Sequence, residues 1–284
     1  MSPPAIEPRN AAPSVPALPP VIASVAAPVG PAKPAVATPD EDPRPAAIGR
    51  GQQNWQTRRG PRHAALSECD LGLGAGRVVG TFAHLPRHFA DADRVMDLET
   101  RLLWCARAQQ EREPASLMLA RAVDGVMASE LEDLAAYVAS LSISWRLSPP
   151  LAHARERQAQ AVGQALYARR QGPLDFSCAS CHGSAGQPQP AISGSGRAQT
   201  ITTLQGRPVP QFGQSAQAQA AMAAWPAWRT SQGGLRTLQS RLAACFWHMG
   251  IEPPAQGSDS LIALVAYLTR LAGNGEVLAS GRRP

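Results

Sequence analysis

Long apolar runs are missing from this 284-residue chain. No stretch reaches the roughly 18 apolar residues that a membrane-crossing helix needs, so no transmembrane segment is expected. Aromatic residues are scarce, at 5%. The basic excess, a net charge of +6 with a pI near 9.5, is therefore not interleaved with stacking side chains, and arginines are spread along the chain. That pattern excludes a nucleic-acid-reading module and leaves a general preference for anions. A recognisable export signal is also lacking: "VIASVAAPVG" at 21–30 is interrupted by Pro28 and follows prolines where a basic segment would be wanted. Cysteine is sparse, with five residues.

Proline is abundant but unevenly placed. Thirteen of the 27 prolines fall between Pro3 and Pro45, among alanines and valines. Such a stretch has little to bury and reads as an extended leader or linker over 1–51. The remainder suits two domains by the usual size range.

Two of the cysteines lie in "PLDFSCASCHG" (173–183), where Cys178, Cys181 and His182 form C-x-x-C-H. Two thiols three residues apart reach the two vinyl groups of one haem, and the adjacent imidazole points at the iron; this spacing is the signature of covalent haem c attachment. A zinc ribbon would want a second C-x-x-C, which does not follow. A redox C-x-x-C would want a βαβ setting, whereas the flanks here read as helix and loop. Covalent haem attachment belongs outside the cytoplasm, so the periplasm is the expected compartment despite the absent signal.

Two segments recur. "LETRLLWC" (98–105) and "LQSRLAAC" (238–245) share L-x-x-R-L-x-x-C, and "LEDLAAYVASL" (131–141) resembles "LIALVAYLTRL" (261–271). Leu261, Leu264, Val265, Leu268 and Leu271 follow helical spacing, with Ser258 as a candidate N-cap and Gly273 as a stop. Leu131, Leu134, Val138 and Leu141 make the same face earlier. "ERQAQAVGQALYARRQG" ahead of the haem motif reads as another amphipathic helix ending near Gly172. The expected fold is mainly α: two cytochrome c-like helical domains from an internal duplication, a haemless one over 52–147 and a haem-binding one over 155–284, joined by a proline-containing linker over 148–154. Only the second has a full motif. The first keeps Cys69 in "ALSECDLGLG", and His63, His84 and His88 are not preceded by C-x-x-C.

Haem attachment uses Cys178 and Cys181. In an oxidising compartment Cys69 and Cys105 can pair, stapling the haemless domain. Cys245 is left over, between the haem motif and the last helix, where cytochromes supply the distal iron ligand. His248 and Met249 compete for that role, and methionine is the ordinary choice. The repeat favours Cys245, because its cysteine has a counterpart in the first copy and the other two do not. Arg241, one helical turn before it, can hold the sulfur as a thiolate.

These residues resemble the SoxA family, the catalytic subunit of the periplasmic SoxAX cytochrome of sulfur oxidation. The likeness covers most of 64–284 and is strongest in "ALYARRQGPLDFSCASCHGSAGQ", "WPAWRTSQGGLRTLQSRLAAC" and "GNGEVLASGRRP". It implies one covalently bound haem c on Cys178 and Cys181, with His182 as axial ligand and Cys245 as distal ligand, often as a persulfide. It also implies Arg241 as a substrate-binding residue, with Arg229 and Arg270 as further candidates, and a disulfide between Cys69 and Cys105 where a first haem is lost. The implied reaction is oxidative conjugation of thiosulfate to a cysteine of a SoxYZ-like carrier (an L-cysteine S-thiosulfotransferase), with a SoxX-like monohaem cytochrome as partner. The rival expectation is a monohaem electron-transfer protein that makes no bonds. The segment 188–215 departs from the family pattern before the P-x-W-R element.

Overall fold

Apolar residues at helical spacing dominate the ordered chain, and the fold is mainly helical. A computed structural model describes residues 43–123, 126–183, 203–204, 207–212, 214–279 and 282–283. Most of the expected leader and most of 188–215 lie outside the described residues. Nine helices occur among those residues: α1 (Arg44–Gln56), α2 (Leu98–Gln110), α3 (Pro114–Met118), α4 (Glu130–Ser140), α5 (Ala154–Ala168), α6 (Cys178–His182), α7 (Ser215–Met222), α8 (Leu238–His248) and α9 (Asp259–Leu271). The strands are short: β1 (Arg87–Phe89), β2 (Arg94–Met96), β3 (Arg121–Val123), β4 (Val126–Ala128), β5 (Thr203–Leu204), β6 (Arg207–Pro208), β7 (Ala227–Arg229), β8 (Gly234–Arg236) and β9 (Arg282–Arg283). β1 pairs antiparallel with β2, and β7 lies between antiparallel β8 and parallel β9.

The leader expected over 1–51 gives up its end to α1. Pro43 and Pro45 sit at the N-cap and in the first turn of that helix, where a missing N–H leaves no bond unmade. Ala47, Gly51 and Trp55 are then buried, so 44–51 belong to the packed fold.

Helix ends follow local chemistry. Ser129 and Glu132 make a reciprocal capping box on α4, His153 and Glu156 do the same on α5, and the Ser258 hydroxyl accepts from Leu261 N on α9. α9 stops at Leu271, and Gly273 just beyond takes a φ of 58°, a conformation that favours glycine.

Each half has its own apolar core. Trp55, Leu66, Met96, Leu102, Leu134 and Val138 pack together in the N-terminal half; Tyr167, Leu242, Phe246, Leu261, Leu264 and Leu268 pack together in the C-terminal half. Burying each such side chain contributes about 1.5–3 kcal/mol. The halves also cross helices in the same manner. A Cβ at Gly51 of α1 would lie 2.0 Å from the Asp133 carbonyl oxygen of α4, and one at Gly163 of α5 would lie 1.9 Å from the Ala263 carbonyl oxygen of α9. Backbone contact that close admits only glycine. The β1–β2 hairpin leads into α2, and the β7–β8 hairpin leads into α8.

Candidate functional site

The Ser177 hydroxyl accepts from Ser180 N and caps α6, which is five residues long and carries Cys178, Cys181 and His182. A short segment after the undescribed stretch is tied back onto this helix. His182 Nδ1 lies 2.9 Å from the Pro210 carbonyl oxygen, Gln211 Nε2 donates to the Cys181 carbonyl at 3.0 Å, and Phe212 N donates to the His182 carbonyl at 2.7 Å. The Phe212 ring stacks on the imidazole, with centroids 4.8 Å apart and planes at 12°.

A carbonyl only accepts, so Nδ1 of His182 carries the proton and Nε2 holds the free lone pair. That is the tautomer a metal ligand needs. Burial, with a smaller contribution from the Arg241 charge, pulls the imidazole's pKa down against the Pro210 bond and keeps it neutral.

Cys245, on α8, faces the same space. Its charge is felt by both Cys178 and Cys181. Burial pushes the Cys178 thiol up to about 12 and raises Cys181 as well. A catalytic redox C-x-x-C depends on a lowered thiol pKa, so the motif does not fit a disulfide oxidoreductase. A half-buried, uncharged cysteine pair beside a neutral imidazole does fit a covalently held haem c. Cys178 and Cys181 are the residues that would attach it, and His182 Nε2 is the donor available to its iron.

Burial raises the Cys245 pKa too, but here Arg241 and then Arg229 pull it back down. Arg241 is half-buried on α8, four residues before the thiol, and has no carboxylate partner among the described residues. Arg229 ends β7. The helix and the hairpin leading into it thus place two guanidiniums around one thiol.

The other expected residues are distributed differently. His248 is exposed, with Nδ1 2.6 Å from the Ala244 carbonyl oxygen, and Met249 is buried in the C-terminal core. Arg270 lies exposed in the last turn of α9 and lines a small cavity with Pro149, Pro150 and Glu156. Cys69 and Cys105 form a disulfide with Cα atoms 6.1 Å apart. Of the unmatched histidines, His84 Nδ1 contacts the Ser148 carbonyl and His88 stacks on His153 at 3.7 Å. No helix among the described residues is long and apolar enough to cross a membrane.

Sequence reasoning missed Pro210 and Phe212, which lie in the segment that departs from the expected pattern. It also missed Glu99 and Asp91, discussed below. Glu99 reads from sequence as an ordinary acid in a helix's first turn, and nothing in its spacing signals burial.

Comparison with known proteins places this geometry. Residues 50–146 match the family described as SoxA/TsdA, cytochrome c domain. An L-cysteine S-thiosulfotransferase subunit SoxA from Hydrogenophilus thermoluteolus is 31% identical over 242 residues, covering 85% of this chain and 83% of the relative. The chain belongs to the SoxA family. A second relative with the same description, from Hydrogenobacter thermophilus, is 30% identical over 232 residues, covering 82% of this chain and 80% of its own length. The crystal structure of SoxXA from P. pantotrophus shares the fold, with a TM-score of 0.59 at 20% identity over 85% of this chain and 79% of its own.

Proposed function

We propose that this SoxA family member conjugates thiosulfate oxidatively to a cysteine of a SoxYZ-like carrier protein, as an L-cysteine S-thiosulfotransferase in the periplasm. It consists of two cytochrome c-like domains from an internal duplication, over about 52–147 and 155–284 with a linker at 148–154. One haem c would be held in the second domain by Cys178 and Cys181, with His182 and Cys245 as the donors to its iron. Matching glycine crossings in the two halves and a family match that falls on the half without C-x-x-C-H support the duplication.

The observation that carries the reading is Cys245, a thiol facing the attachment cysteines with two guanidiniums acting on it. The haem, when bound, supplies an acceptor for the electrons released in the sulfur oxidation. Arg241 and Arg229 hold the thiosulfate dianion and offset charge on sulfur as bonds change, in a half-buried setting where each charge–charge contact counts for more than in water. The Cys245 thiolate and the sulfane sulfur would join in an S–S bond with loss of two electrons to that acceptor; a carrier thiolate would then attack the sulfane sulfur, and Cys245 would leave as the thiolate. Electrons leave through a SoxX-like monohaem cytochrome, a partner suggested by the SoxXA neighbour.

The test is Cys245→Met, which keeps a sulfur donor but removes the nucleophile. Six-coordinate haem is expected to persist, with a raised potential, while thiosulfate conjugation is lost. Conjugation at the wild-type rate would overturn the assignment in favour of plain electron transfer.

A further inference from the structure

The helix that carries Arg241 and Cys245 is anchored by the half that lacks a haem motif. Glu99, in the first turn of α2, is 5% exposed. Its Oε1 accepts from the backbone N–H of Gln239 in the first turn of α8, at 3.0 Å. Its Oε2 accepts from Gln256 Nε2 at 2.8 Å. Gln239 answers across the same contact, donating to Asp97 Oδ2 at 2.6 Å and to Thr100 Oγ1 at 3.0 Å, while its own Oε1 accepts from Gly257 N at 2.7 Å. A cavity of about 50 Å³, lined mainly by apolar side chains, opens on Glu99, Asp97, Thr237 and Thr269.

We propose that Glu99 is a positioning residue for the thiosulfate-handling site: from the N-terminal half it fixes the first turn of α8, and its protonation state sets how firmly Arg241 and Cys245 are held. This rests on the reading that Arg241 and Cys245 carry the chemistry.

The geometry gives the reason. Gln239 N–H and Gln256 Nε2 donate to the carboxyl group, and the Thr237 hydroxyl bonds it as well. An ionised carboxylate accepts these as charge-assisted bonds; protonation leaves weaker neutral ones and turns one oxygen into a donor. A negative group at the N-terminus of α8 also complements the helix dipole. Against this stands dehydration. Burial, and then the neighbouring Asp97 charge, push the Glu99 pKa up to about 8, while bonds from Gln239, Thr237 and Gln256 pull the other way. Asp97 is the titratable group that acts on it; the groups facing it from α8 and from the loop before α9 are uncharged.

The two consequences run in opposite directions. Because the folded pKa lies above the ordinary value of 4.5, the neutral form's contribution to stability is complete below that value and is lost as pH rises through about 8. The anchoring of α8 instead tightens over the same rise. The rise in pH from 4.5 towards about 8 therefore costs the fold as a whole stability, and ionisation around the upper value firms the site.

The experiment uses the haem-loaded chain with its cytochrome partner and a SoxYZ-like carrier, with thiosulfate as the probe. Electron paramagnetic resonance spectra of the oxidised protein and the KM for thiosulfate are followed from pH 6 to pH 10. In wild type, a thiolate-type low-spin signal is expected to change form over one ionisation, with KM falling as pH rises. Glu99→Gln, isosteric and non-titrating, should show a single pH-independent form. Gln256→Leu should move the inflexion to higher pH, since it removes a bond that stabilises the carboxylate. Glu99→Ala should raise KM roughly tenfold at alkaline pH, the scale of one lost hydrogen bond to a charged group, and Glu99→Gln should recover part of that loss. A thiolate signal that titrates identically in wild type and in Glu99→Gln, or does not titrate in wild type, overturns the role of Glu99 and leaves the Cys245 reading standing. Absence of any thiolate signal in wild type overturns the Cys245 ligation on which the proposal rests. Thermal unfolding of each variant at pH 6 separates either result from misfolding.

Discussion

Arg101 with Cys105 and Arg241 with Cys245 occupy the same spacing on α2 and α8, and the two pairs end in opposite states. Arg101 is 1% exposed. It donates two parallel hydrogen bonds to the Asp91 carboxylate at 2.9 and 2.7 Å, donates to the Asp70 carbonyl, and lies between the Phe89 and Trp104 rings at 4.0 and 4.3 Å. Cys105 is consumed in the bond to Cys69. Arg241 has no carboxylate partner among the described residues, and Cys245 is a free thiol. A neutralised, stacked arginine and a cystine make a core. An uncompensated arginine beside a thiol makes a site for an anion. On the proposed function, the same frame serves structure in one half and chemistry in the other, according to what surrounds it.

Removing attachment cysteines from each half breaks this comparison most sharply. Cys178→Ala with Cys181→Ala is expected to abolish covalent haem, and Cys69→Ala with Cys105→Ala to leave one haem per chain. A pyridine haemochrome assay on purified protein reads both. Retention of half the wild-type haem by the first double variant would mean that the N-terminal half also carries a haem.

The second double variant has a further expected effect. The disulfide closes a loop of 36 residues, and in the chain-entropy account its loss costs about 3–4 kcal/mol. Urea unfolding of the oxidised wild type against Cys69→Ala with Cys105→Ala should show a midpoint shift of that size, with haem spectra unchanged. Asp91→Ala should follow at about 3 kcal/mol, the low end for stripping a buried ion of its partner, because the Asp70 bond and both ring contacts remain.

How much of this was legible in the sequence follows from how local each signal is. The terminal helix with its Ser258 cap and Gly273 stop, the helix of 131–141, and the Cys69–Cys105 pair were all readable, because they depend on near neighbours or on a small number of cysteines. The end of the leader was misread because proline count suggested an extended chain, whereas Pro43 and Pro45 fall at the start of α1, where proline fits. The contrast between the arginines was invisible. It depends on Asp91, ten residues before Arg101 on the turn of another element, and on which face of a helix meets it. The position of Arg270 was invisible for the same reason: the cavity it lines with Pro149 and Pro150 is set by which face of α9 meets the linker. Pro210 fixes the His182 tautomer through a backbone carbonyl, which leaves no side-chain signature.

The smallest effect sharpens the comparison most directly. Ser231 sits on the β7–β8 turn where Asp91 sits on the β1–β2 turn, each three residues before its second strand. If a carboxylate on that turn is what converts the frame from site to core, Ser231→Asp should recreate the neutralised state around Arg241. Ser231 is exposed, so the substitution buries no new charge and should leave stability within about 0.5 kcal/mol. The new carboxylate competes with thiosulfate for the guanidinium, and the KM for thiosulfate should rise roughly tenfold, about 1.4 kcal/mol, with kcat little changed. Ser231→Asn has the same shape without the charge and should behave as wild type. The penalty should shrink as salt is raised, since a partly exposed pair is screened. An equal rise in KM for both variants would assign the effect to the shape of the turn; a rise for Asp alone would show that charge on this turn separates the two halves.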